Sequence, residues 1–200
     1  MKYFLVIVIV LFFILYFAAT FLYPGGHHLD YNALEFNWIH NYWCDLYAEG
    51  YYNDRSNDAM DIAIGATILV ALGIGHFFYI YPNYIKVSPL WTKLIRICGV
   101  MTALTMIPVF IDRFHSLSII VASIFGLVVL IGVIKSIWNN NMTRLFTSGW
   151  IGLLLIIISN VMYYLQLMVE WLPLVQKVAF VVVLIWLCLL NLSFGEKIKA

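Results

Sequence analysis

Apolar residues run along this chain in long, almost unbroken blocks, and polar residues gather between the blocks. A helix needs roughly 20 apolar residues to cross the hydrocarbon core of a bilayer, and six blocks reach that length. We therefore predict an all-α fold, in which residues 1–200 form a single polytopic membrane domain with six transmembrane helices. The predicted spans cover about residues 3–23, 61–81, 91–111, 116–137, 145–168 and 174–194.

The first block also has the position of a secretory signal peptide. Its apolar run is longer than the 7 to 15 residues, roughly, of a typical signal peptide, and Phe17 before Ala18 and Ala19 disrupts a small-x-small cleavage site. We therefore expect this block to be kept as a transmembrane helix.

The polar insert at residues 24–60 carries a helical pattern of its own. Asn32 followed by Glu35 resembles a capping box, and Gly50 is a typical helix stop, which predicts a helix over about residues 33–49. One face of this helix would be apolar, through Phe36, Ile39, Trp43 and Leu46. The opposite face would be polar and acidic, through Asn37, Asn41, Asp45 and Glu49. The pattern predicts an amphipathic helix packed over the outer mouth of the bundle.

Aromatic side chains are frequent in the same insert. Tryptophan and tyrosine are enriched where a protein meets the membrane interface. The aromatic residues that we predict to bind lipid or a partner protein are Trp38, Tyr42, Trp43 and Tyr47.

Composition excludes several classes of protein. The chain is 64% hydrophobic and only 10% charged, and its mean hydropathy is +0.95, which excludes a soluble globular domain. The 11 Lys and Arg residues form no basic stripe, so the sequence gives no indication of nucleic-acid binding. The expected partners are the lipid bilayer and either another membrane protein or a second copy of the chain.

The positions of the basic residues predict the orientation, because Lys and Arg near span ends favour the cytoplasmic side. With both termini in the cytoplasm, only Arg55, Arg113 and Lys177 would lie outside. The basic residues on the inner side would be Lys2, Lys86, Lys93, Arg96, Lys135, Arg144, Lys197 and Lys199. We therefore predict a protein of the cytoplasmic (inner) membrane with an extracytoplasmic insert.

The outer side also collects most of the side chains that are capable of chemistry. The candidate catalytic residues are His27, His28, His40, Asp45, Asp112 and His115. The candidate metal ligands are His27, His28, His40 and Cys44, for which zinc is the expected ion. His40 and Cys44 would share a helix face, but no defined metal motif such as paired CxxC or HExxH is present. The alternative is a solvated polar cap without a metal or catalytic site.

A few polar residues fall inside the predicted spans. His76 is either functional or a neutral histidine bonded within the bundle. The fifth span carries Ser159, Asn160, Tyr163, Tyr164 and Gln166. They would either line a cavity beneath the insert or tie helices together, and we favour helix ties. Cys98 and Cys188 are expected to be packing residues, whereas Cys44 would be buried, a ligand, or a link to another chain.

The order of a first span, an outer loop with the element Asn41-Tyr42-Trp43-Cys44-Asp45-Leu46, and five further spans resembles small six-helix bacterial membrane proteins of unknown function. The arrangement is also similar to the eukaryotic Frag/DRAM/Sfk family, whose outer loop has a Ser-Asp element before the second span. Cys44 stands here where that family has serine. The resemblance implies a six-helix bundle and transfers no activity.

Two classes of function remain from the sequence. The favoured one is a non-catalytic accessory, lipid-binding or complex-forming protein that uses its insert for recognition. The alternative is a membrane-embedded hydrolase or transferase, with or without a metal, acting on a lipid or amphiphile from the outer leaflet. A transporter or channel is disfavoured by the small number of polar residues inside the spans.

Overall fold

A computed structural model describes residues 3–48, 52–53 and 55–197. The side chains of Asp112 and of residues 195–197, like the predicted helix end at Glu49 and Gly50, lie outside that description. The described chain is all-α. Its helices are α1 (Phe4–Thr20), α2 (Met60–Ile80), α3 (Pro89–Thr105), α4 (Asp112–Asn139), α5 (Thr143–Leu165) and α6 (Leu172–Lys197).

Five of these helices are long and apolar enough to cross a membrane, which confirms the prediction of a multi-pass membrane protein at that level. The five segments are Met60–Asn83, Pro89–Phe110, Arg113–Asn139, Thr143–Leu165 and Val169–Phe194. The first helix, α1, is also apolar but has 17 residues. At a rise of about 1.5 Å per residue this corresponds to roughly 26 Å, slightly less than the hydrocarbon thickness of a typical bilayer.

Neighbouring helices pack closely through small side chains and a few polar ties. α3 packs mainly against α2 and α4, and α5 packs mainly against α6, whereas α4 and α5 contact each other less. The Tyr16 hydroxyl on α1 lies 2.7 Å from the Thr67 hydroxyl on α2. On α6, Trp186 donates to the Leu145 carbonyl of α5 over 2.9 Å. The seam between α4 and α5 is therefore weakly packed, as is the one between α1 and α6.

The connections gather at two ends of the bundle. At one end, the Asn140 amide after α4 donates to the Lys86 carbonyl before α3 over 3.0 Å. At the other end, the insert contacts the two remaining connections. The Tyr47 ring lies 5.0 Å from that of Phe110, centroid to centroid, and His40 Nδ1 lies 3.2 Å from the Glu170 carbonyl. This arrangement places the whole polar insert at one end.

The predicted amphipathic helix over residues 33–49 is wrong. The described residues 33–48 form turns and one short 3₁₀ helix, Trp43–Tyr47. The cause is visible in two asparagine side chains. Asn37 Oδ1 accepts from the backbone N–H groups of Ile39 and His40, and Asn41 Oδ1 accepts from that of Asn37. Asparagine side chains that bond the local backbone compete with the helical hydrogen-bond ladder, and here they replace it.

Candidate functional site

Residues 24–48, which we call the cap, lie over the end of the bundle and are anchored there by an aromatic cluster. The Trp43 ring lies 5.7 Å from Phe12, 5.5 Å from Tyr16 and 5.2 Å from Phe180, centroid to centroid. Phe12 and Tyr16 belong to α1, and Phe180 belongs to α6. Edge-to-face pairs at these distances contribute about 0.5–1.5 kcal/mol each beyond their buried area. Trp43 is therefore an internal anchor that joins the cap to two helices.

The other predicted aromatic contact residues occupy different positions. Trp38 is 46% exposed, and its ring packs on Phe36 at 5.3 Å. Tyr42 is half-buried, and its ring lies 5.7 Å from that of His28. Trp38 therefore presents more surface to the outside than the half-buried Trp43, Tyr42 and Tyr47, as an interfacial side chain would.

The cap begins with a tight turn that requires glycine. Gly25 and Gly26 have φ angles of +92° and +86°, in a region that side chains with a Cβ rarely adopt. A Cβ on Gly25 would also lie 2.1 Å from the Ala33 carbonyl oxygen. The Gly25 carbonyl accepts from Asn53 over 3.0 Å, and the Gly26 N–H donates to Ala33 over 2.9 Å. This turn folds the chain back over the bundle directly after α1.

Asn41 is the centre of the cap. Its side chain is fully buried, and its Nδ2 donates to the Gly26 carbonyl over 2.7 Å and to Asp45 Oδ2 over 2.9 Å. Its Oδ1 accepts from the Asn37 N–H over 2.8 Å. One amide thus joins the glycine turn, the middle of the cap and the 3₁₀ helix, and it satisfies buried polar groups in all three.

Lys177 connects this network to α6. The side chain is buried, at 6% exposure, and its ammonium group donates a hydrogen bond to the backbone carbonyl of Asn41. Asp45, also buried, is close enough for the lysine charge to act on its carboxyl group. A buried ammonium group is costly unless it has hydrogen bonds and an opposite charge nearby, and the cap supplies both.

Asp45 has a perturbed carboxyl group. Burial raises its pKa to about 6, although hydrogen bonds from Asn41 and from the Tyr42 N–H, together with the charge of Lys177, act in the opposite direction. The Tyr42 N–H donates to Oδ2 over 2.9 Å, and the Tyr52 hydroxyl lies 3.4 Å from Oδ1. At neutral pH the group is ionised, and it becomes protonated as the pH falls through about 6.

Three of the predicted histidines form a separate cluster on the cap. The His27 ring lies 5.3 Å from that of His40 and 6.2 Å from that of His28, centroid to centroid. His27 Nδ1 accepts from the Leu29 N–H over 3.2 Å, so this nitrogen carries no proton. Both ring nitrogens of His28 are buried and have no hydrogen-bond partner in the described chain. Burial is the main reason why the pKa values of His27 and His28 are lowered, and the neighbouring imidazole of His40 adds to it, whereas the backbone of His40 acts in the opposite direction on the pKa of His28.

The histidine cluster is expected to make the cap sensitive to acid. A lowered folded-state pKa means that the neutral form stabilises the fold above the unfolded pKa of 6.5, and that this stability is lost as the pH falls through the folded value. Charging His28 would repel His27 and His40 and disturb Tyr42, whereas the Asp30 carboxylate acts as a counter-charge on His27. We expect the protection factors of the cap amides, which compare the measured exchange rate with the intrinsic rate at the same pH, to fall between pH 7.5 and pH 5.

Replacing His28 by leucine should weaken that acid response and leave the cap at least as stable at pH 7.5, because two unsatisfied buried nitrogens are removed. Asp45 titrates in the same range with the opposite sign, since a raised carboxyl pKa favours the fold at low pH. Wild type and variant share that contribution, so their difference reports on His28. The matched control is His76→Leu on an exposed position of α2. Equal acid responses in wild type and His28→Leu would contradict the assignment.

A cavity of about 830 Å³ lies under the cap. The cap contributes Tyr42, Cys44, Asp45, Tyr47 and Ala48 to its wall. The α4 side is formed by His115, Ser116, Ile119, Ile120 and Ser123. The α5 side is formed by Ile156, Ser159, Asn160, Tyr163 and Tyr164, and α6 contributes Gln176, Ala179, Phe180 and Val183. The cavity is therefore apolar along much of its wall, with polar groups from the cap and from single positions on three helices.

Four of the five polar residues of the fifth span, all except Gln166, line this cavity, and their hydrogen bonds seen here do not tie helices together. Ser159 Oγ and Asn160 Nδ2 both donate to the Ile156 carbonyl of their own helix. Gln166 donates to the Tyr163 carbonyl and ends α5 in a left-handed conformation. Between the two interpretations of these residues, the contacts of Ser159 and Asn160 favour the cavity.

Two further candidates, His115 and Cys44, are brought to this cavity. His115 Nδ1 donates to the Val109 carbonyl over 2.8 Å, which leaves Nε2 as the nitrogen available to a bound molecule. Burial raises the pKa of the Cys44 thiol to about 12, so the thiol stays protonated at neutral pH.

The candidates thus fall into two groups. Asp45, Cys44 and His115 line the cavity, whereas His27, His28 and His40 cluster elsewhere on the cap. The side chain of Asp112 lies outside the described residues, and its backbone begins α4. Within the part of the chain that the structure describes, no group of three or more His, Cys, Asp or Glu side chains is placed to hold a metal ion.

Sequence reasoning missed the residues that organise the site. Asn41 was assigned to a solvated helix face, and Lys177 was treated only as a basic residue on the outer side. A lysine next to the outer end of a strongly apolar span, facing an acidic insert, was the available signal for a buried partner. The cavity residues Ser123 and Gln176 carried no comparable signal, because single polar residues occur in most spans.

Searches of protein-family models, of curated proteins and of solved structures found no match to this chain. The function must therefore be argued from the cap and the cavity.

Proposed function

We propose that this protein is a membrane-embedded binding protein that holds one amphiphilic molecule in the cavity beneath its cap. The single observation that supports this function is the cavity itself. Its volume of about 830 Å³ lies within the roughly 300–1,000 Å³ that is typical of small-molecule sites, which are mostly apolar with a few polar groups. An apolar wall suits an alkyl chain, and the polar groups of the cap suit a headgroup.

The position of the cavity favours access from the bilayer. Ile119 and Ile120 on α4 are each 44% exposed, and Tyr163 and Tyr164 on α5 are 49% and 64% exposed, although all four also line the cavity. These residues flank the weakly packed seam between α4 and α5. In a membrane, the outer surface along these helices is covered by lipid. An amphiphile would therefore enter sideways between the two helices.

We further propose six spans, with α1 as the shortest, in the cytoplasmic membrane and with both termini in the cytoplasm. The end of the bundle opposite the cap carries Lys86 and Arg144, and the positive-inside tendency favours this end as cytoplasmic. The cap would then lie on the outer side, where Trp38 is available to the membrane interface or to a partner protein. The amphiphile would come from the outer leaflet.

Binding without chemical conversion fits the cavity better than catalysis. Cys44 is protonated at neutral pH and is a poor nucleophile in that form. The Asp45 carboxylate is already held by Asn41 and by the Tyr42 N–H. The Cys44 thiol is thus suited to shaping the cavity, and the Asp45 carboxylate to holding a negative charge in the cavity wall.

Filling the cavity is the direct test. Ser123→Phe places a ring in the cavity wall at an exposed position, and we expect at least a tenfold loss of affinity for a dodecyl-chain amphiphile, with the fold intact. The measurement is native mass spectrometry of the full chain in a neutral detergent, with bound adducts counted across a titration. The matched control is Ile124→Phe, at the neighbouring lipid-exposed position, which should bind as the wild type does.

Three results would change this proposal. Equal binding by Ser123→Phe and wild type would show that the cavity is not the site. Release of a chemically altered amphiphile during incubation would favour a hydrolase or transferase, and His115 would be the first residue to replace. Retention of a protein partner that is lost on changing Trp38, without any amphiphile, would favour a complex-forming role.

A further inference from the structure

Within the described chain, the cavity wall carries a carboxylate and no lysine or arginine. Among the described residues that line it, Asp45 is the only carboxylate, and His115 is the one side chain that can gain a positive charge. The insert at residues 24–60 contains a single Lys or Arg, namely Arg55, whose guanidinium donates to the Pro24 carbonyl on the exposed surface. A phosphate, sulfate or carboxylate headgroup would therefore meet no lysine or arginine among the described residues of this wall.

Lys177 does not make the cavity wall positive. Its ammonium group is buried and donates to the Asn41 carbonyl, and the residue is not part of the cavity wall. Its charge acts on Asp45 mainly by keeping the carboxyl group ionised, against the effect of burial. The side of Asp45 that faces the cavity is free of competing cations in the described chain.

Tyrosine rings share the cavity wall with the carboxylate. Tyr42, Tyr47 and Tyr52 line the same wall as Asp45, and Tyr163 and Tyr164 line the wall formed by α5. Aromatic faces attract cations, and ammonium groups in particular, when the cation lies within about 6 Å of the ring centre. Burial raises the pKa of Tyr42 to about 12 and that of Tyr47 further, so these hydroxyls are neutral at physiological pH. Uncharged aromatic rings around one carboxylate are the pattern of an ammonium site.

We infer that the amphiphile held under the cap carries an ammonium headgroup, which lies against the Asp45 carboxylate between the tyrosine rings, with its alkyl chain along the apolar wall. This inference rests on the proposed function and adds the chemical class of the ligand. The chain would contact Ile119, Ile156 and Val183, which lie on the three helices that enclose the cavity.

The test compares headgroups on one chain length. Dodecyltrimethylammonium, dodecanol and dodecyl sulfate are titrated against the full-length wild type in a neutral detergent, and adducts are counted by native mass spectrometry. We expect the cationic probe to bind at least tenfold more tightly than the other two. Asp45→Asn should reduce that preference to about threefold or less. Tetramethylammonium, which has the headgroup without the chain, should bind at least tenfold more weakly than dodecyltrimethylammonium.

A pH titration of the wild type supplies a second test that needs no change at Asp45. Because Asp45 titrates with a pKa of about 6, its ionised fraction, and hence the affinity for the cationic probe, should rise about tenfold from pH 5 to pH 7.5. This rise is taken relative to dodecanol, whose binding reports any opening of the cap in acid. The same titration of His115→Gln separates the contribution of the His115 imidazole, which lines the same wall. The titration keeps the inference testable even when Asp45→Asn lowers the stability of the cap.

The possible results distinguish a failure of the ammonium headgroup from a failure of the amphiphile-binding function. Equal binding of all three dodecyl probes, blocked by Ser123→Phe, would overturn the ammonium headgroup and leave the amphiphile site standing. Tight binding of tetramethylammonium would replace the amphiphile by a small organic cation. Binding of none of the probes would overturn the proposed function together with this inference.

Discussion

Replacing Asn41 by alanine is expected to detach the cap from the bundle. The free energy of cap opening should fall by about 3 kcal/mol or more. The variant leaves the Asn37 N–H without its partner and removes one of the two donors from both the Gly26 carbonyl and Asp45 Oδ2 in a buried region. Each buried polar group that loses its partner costs about 1–3 kcal/mol. Amide hydrogen exchange over residues 24–48 measures the effect, because local opening sets the exchange rate.

The matched control for Asn41→Ala is Asn32→Ala, in the same segment but at an exposed position. It should leave exchange in the cap unchanged. Asn41→Asp sharpens the test, since it keeps one acceptor oxygen but turns a second acceptor towards the Gly26 carbonyl and Asp45. It should open the cap at least as much as alanine does. A cap that remains protected in both Asn41 variants would show that aromatic packing alone holds it.

Replacing Lys177 by methionine is expected to have the second largest effect. The variant keeps most of the side-chain volume but removes the hydrogen bond to the Asn41 carbonyl and the positive charge near Asp45. Removing one member of a buried charged network destabilises a protein by roughly 3–5 kcal/mol in other systems, and we expect about 2 kcal/mol or more here. The Asp45 pKa should rise further above 6, because burial then acts with less opposition. Thermal unfolding at pH 7.5 measures the loss.

A double variant distinguishes charge from packing at Lys177. In Lys177→Met combined with Asp45→Asn, no uncompensated carboxylate remains, so the loss in stability should be smaller than the sum of the two single losses. The control is Lys93→Met, an exposed lysine of α3, which should be close to neutral. Additive losses would mean that Lys177 and Asp45 act independently.

The helices were predictable because hydropathy and length are local properties of the chain. The predicted span at about residues 61–81 and the observed α2, Met60–Ile80, differ by one residue at each end. The third span was less accurate, since α3 ends at Thr105 and a 3₁₀ turn, Pro108–Phe110, follows. Pro108 has no backbone N–H to donate, so the helical hydrogen-bond ladder does not continue through it.

The cap was not predictable in the same way, because its structure depends on contacts between distant parts of the chain. Asn37 and Asn41 have the four-residue spacing of a helix face, yet both side chains bond the local backbone. Nothing in the spacing shows that Asn41 is buried, since its burial depends on the glycine turn and on Lys177. Of the chemical candidates, Asp45, Cys44 and His115 reach the cavity. The four-residue spacing of His40 and Cys44 does not place them on one face, because the predicted helix is absent from the described residues.

The bond between Lys177 and Asn41 also has a consequence for how the protein is assembled. The two residues are 136 positions apart in the chain, and the contact between His40 and Glu170 spans 130 positions. Because synthesis proceeds from the N-terminus, the cap must wait until Glu170 and α6 have been made before these two contacts form. Closure of the cap is then the final step of maturation, and a nascent chain that has not yet inserted α6 has an open cavity.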